Sequence, residues 1–265
     1  MNRIVQRFAR LRDQKQKGFI VYIGAGDPNL EETLRLALAL DHLGVDVLEL
    51  GVPFSDPLAD GLVNQLAAQR GLESGTTPST VLATVQAIRA KAQIPIVLYI
   101  YYNLIHRFGV EKFIQAAARA GVDGLLVLDL PPEEGGPYEG LMRNADLSVV
   151  YLVAPTTPEE RMERIVQRGS GFVYYVSREG VTGMQDKVAA NLAEMTARIR
   201  QYTKLPVAVG FGISGPDQAR AVAVHADAVV VGSAIVNQIA KFGQGPGLVQ
   251  HVTDFIRPLI QAVKP

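Results

Sequence analysis

The chain has 265 residues, with 26 basic and 26 acidic side chains and no cysteine. The balanced charge argues against a nucleic-acid groove or an anionic membrane surface as partner, and the missing thiols exclude disulfides, thiolate metal sites and a cysteine nucleophile. Apolar residues make up 48%, enough for a large core, but no apolar run reaches the roughly 18 residues that suggest a membrane span.

The charged start, MNRIVQRFARLRDQKQKG, lacks the apolar stretch of a secretory signal, so a cytoplasmic protein is expected. The same segment predicts an amphipathic helix over 2–16. Strand 1 follows at 19–23, then a helix at 30–43, where Leu36, Ala37, Leu40 and Leu43 share one face. Strand 2 (45–50) leads into a long segment with two prolines and two aspartates, an inserted helix (64–72) and a helix at 81–92. Strand 3 (94–100), a helix at 110–120, strand 4 (124–128), strand 5 (148–153) and a helix at 158–168 continue the series. Strand 6 (171–176), a helix at 188–202, strand 7 (206–209), a helix at 216–224 and strand 8 (227–231) complete it. The strands are nearly continuous in apolar residues, as a parallel sheet covered on both faces requires.

Eight strand–helix units, no Pro/Gly/Ser-rich linker and a length near the roughly 250 residues of a (β/α)8 barrel predict one TIM-barrel domain over 1–265. The N-terminal helix is expected to cap the barrel's bottom, and the helix after strand 2 is an insertion. A helix end followed by Gly-Val-Asp and a strand recurs at 44–46 and 121–123, with a weaker echo at Ala226-Asp227. The glycine suits a left-handed helix terminus.

Strand 2 carries a carboxylate. Alternation puts Glu49 on the same face as Val47 and Gly51, with Leu48 and Leu50 on the other, so Glu49 points into the barrel near its top. Burial there raises the pKa of a carboxyl group towards neutrality, as a general acid–base needs. Strand position alone leaves a structural, hydrogen-bonded glutamate equally open. Asp60 adds a second carboxylate in the following loop, where an ordinary solvated aspartate is the alternative. Asp129, at the end of strand 4, is read as structural or supporting.

Strand 7 ends in Val209-Gly-Phe-Gly-Ile-Ser214 and strand 8 in Val231-Gly-Ser-Ala-Ile235. Glycines that let N–H groups approach an anion, next to a helix start at Gly232-Ser233, suit the phosphate site that barrels place after strands 7 and 8. Tight βα turns are the alternative. The loop Ser177-Arg-Glu-Gly-Val-Thr-Gly183 suits a closing lid or an ordinary surface loop. His42, His106, His225 and His251 show no metal spacing, no nucleotide-binding glycine motif is present, and no lysine clearly ends a barrel strand. Acid–base chemistry by carboxylates on a phosphorylated substrate remains.

The run Glu49-Leu-Gly-Val-Pro-Phe-Ser-Asp-Pro-Leu-Ala-Asp-Gly61 resembles the central signature of tryptophan synthase α-subunits. The resemblance extends over essentially the whole chain, through Gly26-Asp27-Pro28, Tyr101-Tyr102-Asn103, Asp129-Leu-Pro with Glu133-Glu134, 177–183, 210–214 and Gly232-Ser-Ala-Ile-Val236. It implies retro-aldol cleavage of indole-3-glycerol phosphate to indole and glyceraldehyde 3-phosphate, without a cofactor. Glu49 would protonate indole C3 and help remove the glycerol hydroxyl proton. Asp60 would accept from the indole N–H, and Tyr174 would position Glu49 or substrate. Gly183, Gly212, Gly232 and Ser233 would hold the phosphate. Thr182 would reach Asp60 on loop closure, and Tyr22, Tyr99, Leu126 and Phe211 would line the indole pocket. The implied partner is a pyridoxal-phosphate β-subunit in an α2β2 assembly. The chain departs from the family pattern at Val21, Gly24, Leu62, Asn64 and Tyr99. These departures motivate two other readings, a stand-alone lyase releasing free indole and a non-catalytic activator of a β-subunit. A sugar-phosphate isomerase is a further alternative.

Overall fold

The computed structural model describes residues 2–176, 185–210, 212–243 and 245–264, without the side chains of 185–190. In chain order the elements are α1 (Arg3–Asp13), β1 (Gly18–Gly24), α2 (Leu30–Leu43), β2 (Val47–Gly51), α3 (Leu62–Glu73), α4 (Pro78–Arg89), β3 (Ile96–Ile100), α5 (Tyr102–Phe108), α6 (Val110–Ala120) and β4 (Gly124–Val127). A 3-10 turn (Pro132–Glu134) leads to α7 (Gly136–Asn144), β5 (Ser148–Val153), α8 (Glu159–Arg168), β6 (Val173–Val176), α9 (Gln185–Tyr202), β7 (Val207–Gly210), α10 (Pro216–His225), β8 (Ala228–Val231), α11 (Ser233–Phe242) and α12 (Leu248–Val263). The strands pair in parallel in sequence order, and β8 closes on β1.

The expected barrel is therefore the observed one, with the inserted helix realised as α3. α5, α7 and α12 fall outside the helix ranges expected from the sequence.

Local chemistry sets the element ends. Asn29 caps α2 by accepting from the Glu32 N–H at 2.9 Å, and Glu31 and Glu32 complement the positive end of the helix dipole. Gly44 (φ 91°) and Gly121 (φ 92°) end α2 and α6 in the left-handed region, where a Cβ is costly.

Period-two alternation divides the core. Leu48 and Leu50 join the apolar layer between sheet and helices. Ile20, Val47, Val97, Leu126, Val150, Phe172, Ala208, Ala228 and Val230 fill the barrel interior together with Ile4, Phe8 and Leu11 of α1. The N-terminal helix thus plugs the bottom of the barrel, with the rings of Phe8 and Phe172 5.6 Å apart.

The recurring aspartates have a structural task. Each precedes an even-numbered strand and receives an N–H from the strand before it: Asp46 from Phe19 (2.7 Å), Asp123 from Ile96 (2.8 Å) and Asp227 from Val207 (2.9 Å). Before β6 the hydroxyl of Ser170 does the same for Val149, at 2.8 Å. Cations complete the aspartates: Arg7 and Lys264 at Asp46, Arg3 and Arg89 at Asp123, and Arg200 at Asp227.

Candidate active site at the barrel mouth

β2 delivers Glu49 to the barrel interior, in register with Tyr22 of β1 and Val97 of β3. Its side chain is sealed off, at 1% exposure, and neither carboxyl oxygen has a hydrogen-bond partner among the described residues. Nothing offsets the loss of hydration, so burial pushes its pKa up to about 8. At neutral pH Glu49 is a carboxylic acid with a proton to give.

Three phenols line the same interior face. Tyr22 and Tyr99 meet edge-on with centroids 5.0 Å apart, a favoured aromatic geometry. Tyr22 fits because Gly51 has no side chain: a Cβ there would lie 2.4 Å from the Tyr22 hydroxyl. Gly210 makes the same room for Tyr174, whose hydroxyl would lie 2.7 Å from an added Cβ. Burial raises all three phenol pKa values well above the ordinary range, so they stay protonated. The charge of Glu49 adds to burial in raising the Tyr174 phenol, but no hydrogen bond joins the two.

Asp60 lies on the segment 52–61 between β2 and α3. Its Oδ1 accepts from the Tyr99 hydroxyl at 2.7 Å and its Oδ2 from the Tyr101 hydroxyl at 2.8 Å. Desolvation raises its pKa, and the hydrogen bonds from Tyr99 and Tyr101, with polar Asn64, pull it down; desolvation prevails. A cleft bounded by Tyr22, Gly51, Phe54, Asp60, Tyr99 and Tyr101 opens at this point.

The loop that bears Asp60 rests on α3. Arg70 grips the buried Asp27 with two hydrogen bonds of 2.8 and 2.7 Å, fixing α3 over the loop after β1. Gly71 permits this approach, since a Cβ there would lie 2.7 Å from the Ala25 carbonyl oxygen.

The expected phosphate side has Gly212 in a left-handed turn (φ 61°) and Gly232 at the start of α11, with no side chain capping that helix. Both Gly212 and Ser233 are exposed. Thr182, Gly183 and Phe211 lie outside the described residues. Leu126 is fully buried beneath the mouth, while Leu128 and Leu152, one alternation further along their strands, are partly buried near it.

Sequence reasoning missed Tyr101 as a site residue, although it shares a face with Val97 and Tyr99 by the two-residue period. Asp129 is structural: it accepts from the Tyr102 N–H at 2.7 Å at the start of α5. Among the described residues no group of three or more His, Asp or Glu side chains is placed to hold a metal ion, and no helix is long and apolar enough to cross a membrane.

A family model described as tryptophan synthase alpha chain matches residues 8–262. A tryptophan synthase alpha chain from Opitutus terrae is 56% identical over 241 residues, covering 91% of each chain. The crystal structure of tryptophan synthase subunit alpha from Legionella pneumophila superposes with a TM-score of 0.91 at 38% identity, covering 99% of this chain and 98% of that one. A chain of tryptophan synthase from Mycobacterium tuberculosis gives a TM-score of 0.90 at 31% identity, covering 100% and 99%.

Proposed function

The chain belongs to the tryptophan synthase alpha chain family, lyases that cleave indole-3-glycerol phosphate, and from that premise we propose that Glu49 and Asp60 divide the acid–base work. Family membership places it in tryptophan biosynthesis and gives it a β-subunit as partner, and it favours this reading over a sugar-phosphate isomerase.

The observation that carries the assignment is the partnerless, protonated Glu49 in the barrel. A buried carboxyl with no partner costs stability, a cost that proton transfer to a substrate accounts for. Glu49 gives its proton to C3 of the indole ring, making the ring an indoleninium cation. Asp60, as the anion, accepts a hydrogen bond from the ring N–H and stabilises that cation. The Glu49 carboxylate then takes the proton of the glycerol hydroxyl next to the ring. The C–C bond breaks, its electron pair restores the indole, and the hydroxyl carbon becomes the aldehyde of glyceraldehyde 3-phosphate. Glu49 ends protonated, ready for another cycle.

Tyr22, Tyr99 and Leu126 shape the indole pocket with Phe211, and Tyr174 bounds it from β6. The N–H groups at Gly212, Gly232 and Ser233 receive the phosphate, where glycine turns and a helix start favour an anion, with Gly183 as a further phosphate contact and Thr182 as a partner for Asp60. This scheme assigns every proton transfer to side chains and needs no cofactor in the α-chain. Pyridoxal phosphate is assigned to the β-subunit, the assembly is an α2β2 heterotetramer, and the location is the cytoplasm.

Indole release from indole-3-glycerol phosphate, assayed with and without a β-subunit, tests the assignment. Glu49→Gln is expected to lower turnover by about 1,000-fold with an unchanged circular dichroism spectrum. Wild-type turnover by that variant removes Glu49 from the mechanism.

A further inference from the structure

We propose that Tyr99 is a positioning residue for the cleavage: its hydroxyl, paired with that of Tyr101, fixes the Asp60 carboxylate at the barrel mouth and presents it to the substrate's ring N–H. The proposal rests on the assignment of Asp60 as acceptor for that N–H.

A carboxylate on an irregular loop is ordinarily free to change rotamer, and ordering it costs entropy. Here that ordering is already done. Tyr99 lies in β3, and Tyr101 follows two residues later on the same face. Each donates to a different oxygen of Asp60, at 2.7 and 2.8 Å. The rest of the loop is tied to the same strand end: the Ala59 N–H donates to the Tyr101 hydroxyl at 3.0 Å, and the Phe54 ring packs on Tyr101 with centroids 5.1 Å apart. From α3, the side-chain amide of Gln65 donates to the Asp60 carbonyl at 2.8 Å.

The two tyrosines differ in what else they hold. The Tyr101 hydroxyl also supports the loop backbone at Ala59, so removing it disturbs the whole segment. Among the described residues, the Tyr99 hydroxyl has Asp60 as its hydrogen-bond partner, while its ring is held independently by Tyr22. Deleting the Tyr99 oxygen therefore isolates the effect on the carboxylate.

The chemistry is compatible with turnover. A carboxylate oxygen has two acceptor sites, so Oδ1 can accept from Tyr99 and still face a ring N–H. Two O–H donors favour the anion, which the proposed role of Asp60 requires and which desolvation opposes. The titratable groups facing Asp60 are Tyr99 and Tyr101 from β3 and its end and Tyr22 from β1. All are phenols whose pKa values are raised further, so a change on the acidic side of a rate profile does not originate with them.

The test is the pH dependence of kcat/KM for indole release by the wild type, Tyr99→Phe and Asp60→Asn, each assembled with the β-subunit. Tyr99→Phe keeps the ring and its contact with Tyr22, and thermal melting verifies its fold. The expected result is a kcat/KM about 10-fold lower at neutral pH, with the acidic limb displaced to higher pH because one of the bonds favouring the Asp60 anion is gone. A wild-type profile for Tyr99→Phe, or a loss of rate with the acidic limb unmoved, overturns the positioning role. If Asp60→Asn is then inactive, the assignment of Asp60 survives that failure. Full activity in Asp60→Asn overturns both.

Discussion

The two ends of this barrel treat buried carboxylates in opposite ways. At the bottom, Asp123 is 2% exposed and saturated: it accepts the Ile96 N–H and is bridged by Arg89 at 2.6 Å and Arg3 at 2.9 Å. Asp46 is equally buried, bonded to Phe19, Arg7 and Lys264. Near the top, Glu49 is just as buried and has no hydrogen-bond partner among the described residues. Pairing makes a buried carboxylate a fastening between strands. The absence of pairing makes it a neutral acid whose proton is available, and its cost is borne by the rest of the fold.

The largest expected stability effect breaks the paired end. Asp123→Ala leaves Arg89, whose side chain is 9% exposed, without its carboxylate and orphans the Ile96 N–H. Urea unfolding should report a loss of about 3–5 kcal/mol. If assembled protein retains kcat near the wild-type value, the effect belongs to the fastening rather than to the chemistry.

Glu49→Met should act in the opposite direction. Below the ordinary carboxyl pKa of 4.5 the side chain is neutral in both folded and unfolded chains. Between 4.5 and about 8 the unfolded chain releases its proton and the folded chain holds it, so the wild type loses stability as pH rises through this window. Relative to the wild type, Glu49→Met should gain on the order of 3–4 kcal/mol between pH 5 and pH 8. A difference in stability that is flat with pH would contradict the raised pKa. Activity should show the same ionisation: kcat/KM falls above about 8 as Glu49 loses its proton, and falls on the acid side as Asp60 gains one, at a pH above the ordinary aspartate range.

The smallest effect is expected at Arg3, whose side chain is 37% exposed. Asp123 keeps Arg89 and the Ile96 N–H when Arg3 is replaced, so Arg3→Gln should cost about 1 kcal/mol or less in urea unfolding. A loss as large as that of Asp123→Ala would show that the outer arginine, not the buried one, carries the pair.

Period-two and helical alternation made most of this architecture readable in advance. The reading of β5, α2 and α6 matches their observed limits, and the interior position of Glu49 follows from alternation in β2. α7 escaped because Gly136, Pro137 and Gly140 weaken its helical signal. The spacing of the Gly-Val-Asp junctions was visible, but their bonds to the preceding strands are long-range and leave no local pattern. The same limit applies at the site. Asp60 was identifiable as a residue, whereas its grip by Tyr99 and Tyr101 depends on the path of the segment 52–61, which no periodicity encodes. Tyr101 itself was within reach, because the alternation that marks Val97 and Tyr99 extends one step to it.

The most direct test is titration of the Glu49 carboxyl itself, by carbon-13 NMR of the glutamate-labelled chain with Glu49→Gln identifying the resonance. A midpoint of about 8 is the result expected of a buried, partnerless acid. A midpoint at the ordinary value near 4.5 would mean that Glu49 is ionised at neutral pH, and it would contradict its role as proton donor to the indole ring.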